Sequence, residues 1–278
     1  NGIGVFMGQA LRNSNFNSVQ GDNFGRATFI KYSNNGGYIT IDGGANSSLK
    51  FVINSQRPSF AAAFYMNGGS SNNTIKNVII ENGTPSTANA VSLPNVVFSV
   101  VDGFRFTDDE YITETGYKGY SAGIVNRAKL LALNTQDIVV ALDTLPNKNN
   151  KFTNNEISGF AYGIVSYGIG PLRVPELQDY RPFYNENTLI ANNKIYNVTA
   201  AGIVVGHEHN SKVNNNTIFD INGNAGDISS GIIAGGNSSL GVQGYNNMNL
   251  KIDGNKISNV RGKTSVYGIL VDQDLNKY

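Results

Sequence analysis

Cysteine and tryptophan are absent from the sequence, and histidine occurs only twice. Without cysteine there is no disulfide, no thiolate nucleophile and no cysteine-ligated zinc, and redox state cannot place the chain in a compartment. Charge is scarce as well. Asp, Glu, Lys and Arg supply 15% of the residues, and 21 basic against 20 acidic side chains leave a formal net charge of +1. A nucleic-acid partner would ordinarily leave a basic excess, so none is expected. Long apolar runs are missing too: nothing approaches the ~18 residues of a membrane-spanning helix. No signal peptide is legible, and with its abrupt start at Asn1 the sequence is expected to be a mature or trimmed piece.

What is there is neutral and small. The 278 residues include 41 Asn and 32 Gly. Amides, hydroxyls and glycines must therefore do the solvating that charge does elsewhere. The length is enough to bury a real core, in one large or two ordinary domains.

The asparagines are not scattered. Five rows align on one Asn: "NNTIKNV" (72–78), "NNEISGF" (154–160), "NNKIYNV" (192–198), "NNTIFDI" (215–221) and "GNKISNV" (254–260). The anchors are Asn73, Asn155, Asn193, Asn216 and Asn255. Two residues on, every row has Ile: Ile75, Ile157, Ile195, Ile218 and Ile257. Five residues on, every row is apolar, and three residues before the anchor stand Phe152, Ile190, Val213 and Ile252. A second motif accompanies them: "AGIV" (122–125), "YGIV" (162–165), "AGIV" (201–204), "SGII" (230–233) and "YGIL" (267–270).

Short β-branched runs separated by Asn and Gly predict short strands joined by tight turns, since a helix would need apolar residues at 3.6 spacing over ten or more positions. The last four anchors are 38, 23 and 39 residues apart. The spacing of 23 reads as the bare repeat, and the longer ones as the same repeat with a loop of about 15 residues added. A repeat of this size with short strands predicts a parallel β-helix. Each coil is a triangular turn of three strands, stacked about 4.8 Å above the last. Inward positions must then be apolar and match from coil to coil, which explains the Ile column. Corners must turn sharply, which suits Asn, a residue that tolerates the left-handed conformation and can bond in ladders.

These Asn-anchored rows and their Gly-Ile partners resemble the right-handed parallel β-helix proteins of the pectate lyase and pectinesterase superfamily. More narrowly, "GGYITIDGGANSSLKFVI" (36–53), "NNTIKNVIIENG" (72–83) and "AAGIVVGHEHNSKVNNNTI" (200–218) resemble secreted bacterial surface proteins exported with a C-terminal sorting domain. The resemblance covers residues 36–275 and implies a fold: all-β, a single-stranded right-handed parallel β-helix with three short strands per coil. One domain over 1–278 is expected, of eight to ten coils, with 1–35 as a cap or partial first coils. The strand-like "GRATFIKYS" (25–33) falls in that first part. The superfamily holds lyases, hydrolases, epimerases, adhesins and spacers, so the resemblance implies little about activity.

A solenoid keeps its function where the repeat breaks. Three breaks are visible. Residues 96–125 hold no Asn but carry Asp108, Asp109 and Glu110, with Tyr111 and Tyr117 nearby. This is a candidate Ca2+ site or glycan-facing loop, though it lacks a calcium-loop spelling. Otherwise the sequence calls for no cofactor. Residues 166–188 hold three of the seven prolines, together with Tyr167, Arg173, Tyr180 and Arg181. Proline would stiffen a long loop with no ladder to lose, and the aromatics and arginines are candidate glycan contacts. The third break is "GHEHN", 206–210, with both histidines of the chain. In an extended strand His207 and His209 project to one side and Glu208 to the other. They are candidates for a metal pair or for acid–base work, but a metal would need a third ligand. A corner histidine bonded to nearby backbone is the plainer reading.

Eliminative cleavage of a uronate needs a base and a cation or Ca2+ at the carboxylate, with Lys118, Arg127 and Lys129 as candidates. Hydrolysis needs clustered carboxylates, whereas Asp42 and Asp102 sit in Asp-Gly pairs that signal turns first. Neither pattern is dense. The expectation is therefore a secreted or cell-surface structural or adhesive scaffold that contacts polysaccharide or cell-surface glycan. The alternative is a polysaccharide lyase or hydrolase with a groove on one face. Self-association into filaments is a third, weaker reading.

Overall fold

The computed structural model describes residues 26–32, 36–53, 60–83, 120–131, 143–173, 180–223, 228–235, 247–263 and 265–272. Every regular element among them is a strand. Three parallel sheets carry the fold. Sheet I contains β1 (Arg26–Tyr32), β4 (Phe60–Asn67), β7 (Tyr120–Arg127), β12 (Tyr162–Tyr167), β18 (Ala201–Gly206), β22 (Ile228–Gly235) and β25 (Ser265–Asp272), side by side in that order. Sheet II contains β2 (Thr40–Asp42), β5 (Thr74–Lys76), β10 (Lys151–Thr153), β16 (Leu189–Ala191), β20 (Lys212–Asn214) and β23 (Lys251–Asp253). Sheet III contains β3 (Leu49–Ile53), β6 (Val78–Asn82), β11 (Glu156–Ser158), β17 (Lys194–Val198), β21 (Thr217–Asn222) and β24 (Lys256–Arg261). The chain visits I, II and III in turn and then repeats. This is the expected all-β parallel solenoid with three strands per coil.

Three small pairs decorate it. β8 (Lys129–Leu131) pairs antiparallel with β9 (Asp143–Leu145), and β13 (Ile169–Arg173) with β14 (Tyr180–Phe183). β15 (Asn185–Glu186) pairs in parallel with β19 (Glu208–His209), forming a short fourth side between sheets I and II.

The columns are continuous. In sheet III, Phe51, Ile80, Ile157, Ile195, Ile218 and Ile257 stand over one another. In sheet II the column is Ile41, Ile75, Phe152, Ile190, Val213 and Ile252. In sheet I, Phe64, Ile124, Ile164, Ile203 and Ile232 face them across the prism. Most of these side chains are fully buried in one cluster. At about 1.5–3 kcal/mol for each large aliphatic side chain, the columns are the main source of stability.

The first aligned row needs correction. Ile75 stacks on Phe152, and it is Ile80 that stacks on Ile157. Asn73 therefore belongs to the corner before sheet II, where its N–H donates to Asn150 Oδ1 at 2.9 Å. The spelling Asn-x-apolar recurs at both corners of a coil, five residues apart, because both corners do the same work. Val78 takes the place at the sheet III corner that Asn155 holds in the next coil, and its N–H donates to Asn155 Oδ1.

Coil lengths also differ from expectation. Successive sheet II strands begin 34, 77, 38, 23 and 39 residues apart (40, 74, 151, 189, 212, 251). Sheet I has seven strands and the other two have six among the described residues, while eight to ten coils are the expectation for the whole chain. The hairpin β13–β14 spans 169–183, the same 15 residues by which its 38-residue coil exceeds the 23-residue one.

The middle strands of sheet I differ from the other sheets in being buried on both faces, whereas β25 at its end is largely exposed. β12 and β18 are buried at every position, with the apolar core inside and a second cluster of Tyr65, Val125, Tyr162, Val165 and Val204 outside. Sheets II and III alternate buried and exposed residues, as strands with one wet face should.

Candidate functional site

The corners explain the asparagines. At the turn from sheet II to III, Asn77, Asn154, Asn192 and Asn215 all have φ between 55° and 57°, in the left-handed region. The next residue turns inward. Asn155, Asn193 and Asn216 each donate their backbone N–H to the Oδ1 of the following coil's Asn, at 3.0, 2.9 and 2.9 Å. Each also donates from Nδ2 to a carbonyl of the coil before: Ile75, Phe152 and Ile190. The buried amides therefore stitch three coils together.

The corner between sheets I and II gathers most of the residues singled out from the sequence. Tyr167 closes β12, and the hairpin β13–β14 follows at once. In that hairpin Arg173 pairs with Tyr180, and Leu172 with Arg181. The segment 166–188 is thus not a ladder-free loop: part of it is an antiparallel ribbon. Pro171 sits where the register shifts, the kind of place where a strand tolerates proline. The chain returns through Tyr184 to β15, which lies beside β19 with Glu208 and His209. Tyr167, His207, Glu208 and His209 lie at this corner, and Arg173, Tyr180 and Arg181 lie on the ribbon that leaves it. Tyr111, Tyr117, Asp108, Asp109, Glu110 and Lys118 lie outside the described residues.

His207 is not in an extended strand; its φ is 47°. Both histidines nevertheless have one ring as a neighbour. The Tyr184 ring lies 5.9 Å from the His207 ring and 6.4 Å from that of His209, while Glu208 turns into the prism. His207 is buried and His209 half-buried. Among the described residues no group of three His, Cys, Asp or Glu could hold a metal ion, so no third ligand joins the pair there. Arg127 lies 5.9 Å over the buried Tyr167 ring.

Glu208 is the unusual group. It is fully buried. Its Oε1 accepts from Ser166 Oγ at 2.5 Å and from Asn185 Nδ2 at 3.2 Å, and its Oε2 accepts from Ser211 Oγ at 2.7 Å. Behind Ser166 the network continues inside the prism. Asn126 Nδ2 donates to Ser166 Oγ at 2.8 Å, and Asn126 Oδ1 accepts from Asn147 at 2.8 Å and Asn150 at 2.9 Å. Burial pushes the carboxyl's pKa above the ordinary value, and the bonds from Ser166, Ser211 and Asn185 offset this only in part.

A second arrangement was missed in the sequence. On the outer face of sheet III, the Tyr196 and Phe219 rings stack 5.2 Å apart and 8° from parallel. Tyr196 Oη donates to Glu156 Oε1 at 2.8 Å, Lys194 Nζ donates to the same oxygen at 3.2 Å, and Nζ also lies 4.8 Å from the Tyr196 ring centre. Burial works to raise the Glu156 carboxyl, but the bonds from Tyr196 and Lys194 outweigh it and hold its pKa below the usual range. The signal was present: Tyr196 and Phe219 both stand three residues after the anchor in successive rows, so stacking coils must stack rings.

No protein-family model matches the chain, and no curated protein or solved structure matches it.

Proposed function

We propose that the protein is a rigid, secreted or cell-surface scaffold, structural or adhesive, whose outer faces contact glycan. The observation that carries this reading is where the asparagines go. Asn155, Asn193 and Asn216, which dominate the repeat, are buried and used to bond coil to coil. A chain that spends its commonest polar side chain on internal stitching is built to hold a shape. The half-buried Tyr196–Phe219 stack, with Glu156 and Lys194 beside it, offers ring faces and edges with paired hydrogen-bonding groups, the combination that suits a sugar. Kinship with the pectate lyase and pectinesterase superfamily is part of the proposal and rests on the Asn-anchored rows.

The test is binding of the chain to an array of neutral and acidic polysaccharides, with Tyr196→Ala and Phe219→Ala beside it. Binding that both variants weaken about tenfold or more supports the reading. Release of reducing ends or of unsaturated uronate from any polysaccharide would replace the scaffold by an enzyme.

A further inference from the structure

Glu208 stands where neighbouring coils carry an amide. Asn185 is its register partner in β15, and Asn185 Oδ1 in turn accepts from the N–H of Asn147 at 2.9 Å. On the other side Glu208 N–H donates to Asn247 Oδ1 at 3.0 Å. The column therefore reads Asn147, Asn185, Glu208, Asn247. Three coils close this corner with a group that cannot titrate, and one closes it with a group that can.

Among the described residues, the hydrogen bonds given to that carboxyl come from neutral side chains alone, Ser166, Ser211 and Asn185 among them. The charged and titratable groups on the surrounding described elements have contacts of their own. His207 and His209 flank Tyr184. Glu186 of β15 is bonded to Lys148 at 2.8 Å, Arg127 of β7 lies over Tyr167 of β12, and Lys212 of β20 is exposed. A carboxylate sealed in without a countercharge is costly, whereas a protonated carboxyl is close to an amide in size and polarity. Either serine can adapt, since a hydroxyl both donates and accepts.

The corner's own ladder is short. The β15–β19 ladder is two residues long, and the adjoining His207 has the left-handed backbone that costs a non-glycine residue. We propose that Glu208 is a proton-operated latch: protonated, it closes the β15–β19 corner as asparagine does in the other coils, and deprotonated, it lets that corner open and frees the base of the β13–β14 hairpin. The proton leaves to solvent as the corner opens, and no other group needs to change charge.

The sign follows from linkage. In the open corner Glu208 titrates near its ordinary ~4.3, and in the closed corner higher. Closure is therefore strongest below about pH 4.3 and weakens as pH rises toward the closed-state pKa, where the loss levels off. In that window the opening constant grows about tenfold per pH unit. The reporters are the amides of Asn185 and Asn187, which donate to the carbonyls of His207 and His209 at 3.1 and 2.9 Å.

Hydrogen exchange of the whole chain from about pH 4 to 8, corrected for the intrinsic rate, tests this. Protection at Asn185 and Asn187 should fall by about tenfold per pH unit across the window, while Glu208→Gln should show a flat profile. An identical slope in Glu208→Gln, or a flat wild-type profile, overturns the proposal. Should Glu208→Gln not fold, isotope-edited infrared spectroscopy of the wild type decides. One protonated carboxyl should persist to higher pH than the exposed glutamates, which titrate near ~4.3, and its ionisation together with them sinks the latch.

Discussion

Asn192 and Asn193 are neighbours with opposite tasks. Asn192 is exposed, has φ 57°, and only has to let the backbone turn. Asn193 is buried; its Nδ2 donates to Phe152 O and Asn216 Oδ1, and its Oδ1 accepts from Asn155. The two should respond oppositely to substitution. Asn192→Gly should stay within about 0.5 kcal/mol of the wild type, because glycine takes this conformation freely. Asn192→Val should lose about 1–2 kcal/mol. Asn193→Ala should lose about 2–3 kcal/mol, since it leaves buried partners unpaired. Urea denaturation of the three variants checks the order. At the same scale, Asp42 is held low, to about 2, by bonds from Asn77, the Gly44 N–H and Lys76. Its folded pKa is depressed, so its contribution to stability is present above the unfolded value of ~3.9 and disappears as pH falls toward 2. Carboxyl-detected NMR titration should find Asp42 ionised at pH 3, and Asn77→Ala should move its midpoint up.

Between elements, the two sequence motifs turn out to be halves of one contact. A Cβ built on Gly202 would lie 2.5 Å from Ile218 Cγ2 and 2.8 Å from the Gly231 carbonyl, and Gly123, Gly163 and Gly231 meet Ile157, Ile195 and Ile257 in the same way. The Gly-Ile strands of sheet I are thinned so that the Ile column of sheet III can reach across the prism. Gly202→Ala should therefore cost about 1–3 kcal/mol by overpacking. Gly268→Ala, where nothing lies within 4 Å, should be neutral or slightly stabilising, and chemical denaturation of the pair separates the cases. This is also where legibility ended. Strand type, the Ile column and the inward Asn were readable because stacked coils force identical residues into register. The register of the Asn73 row was not, since both corners of a coil share one spelling. Nor was the β13–β14 ribbon, whose prolines and aromatics carry no period. The Glu208 network was hidden because Asn126, Ser166 and Asn185 lie in the two coils before that of Glu208, far from it in sequence.

For the molecule as a whole, the middle strands β12 and β18 of sheet I are buried on both faces, while sheets II and III each offer one wet face. Among the described residues, a partner that reads the outer surface meets sheets II and III and the exposed end strand β25 of sheet I. Each coil bonds only to its neighbours, so the coils form a chain of near-independent interfaces. Their lengths of 34, 77, 38, 23 and 39 residues are unequal. Gripped at its two ends and stretched in an optical trap, such a molecule should unravel in discrete jumps and not in one. At roughly 3.5 Å per extended residue, the shortest coil would release about 80 Å and the longest about 270 Å. The sequence of jumps would be a barcode of the insertions, read in order along the axis.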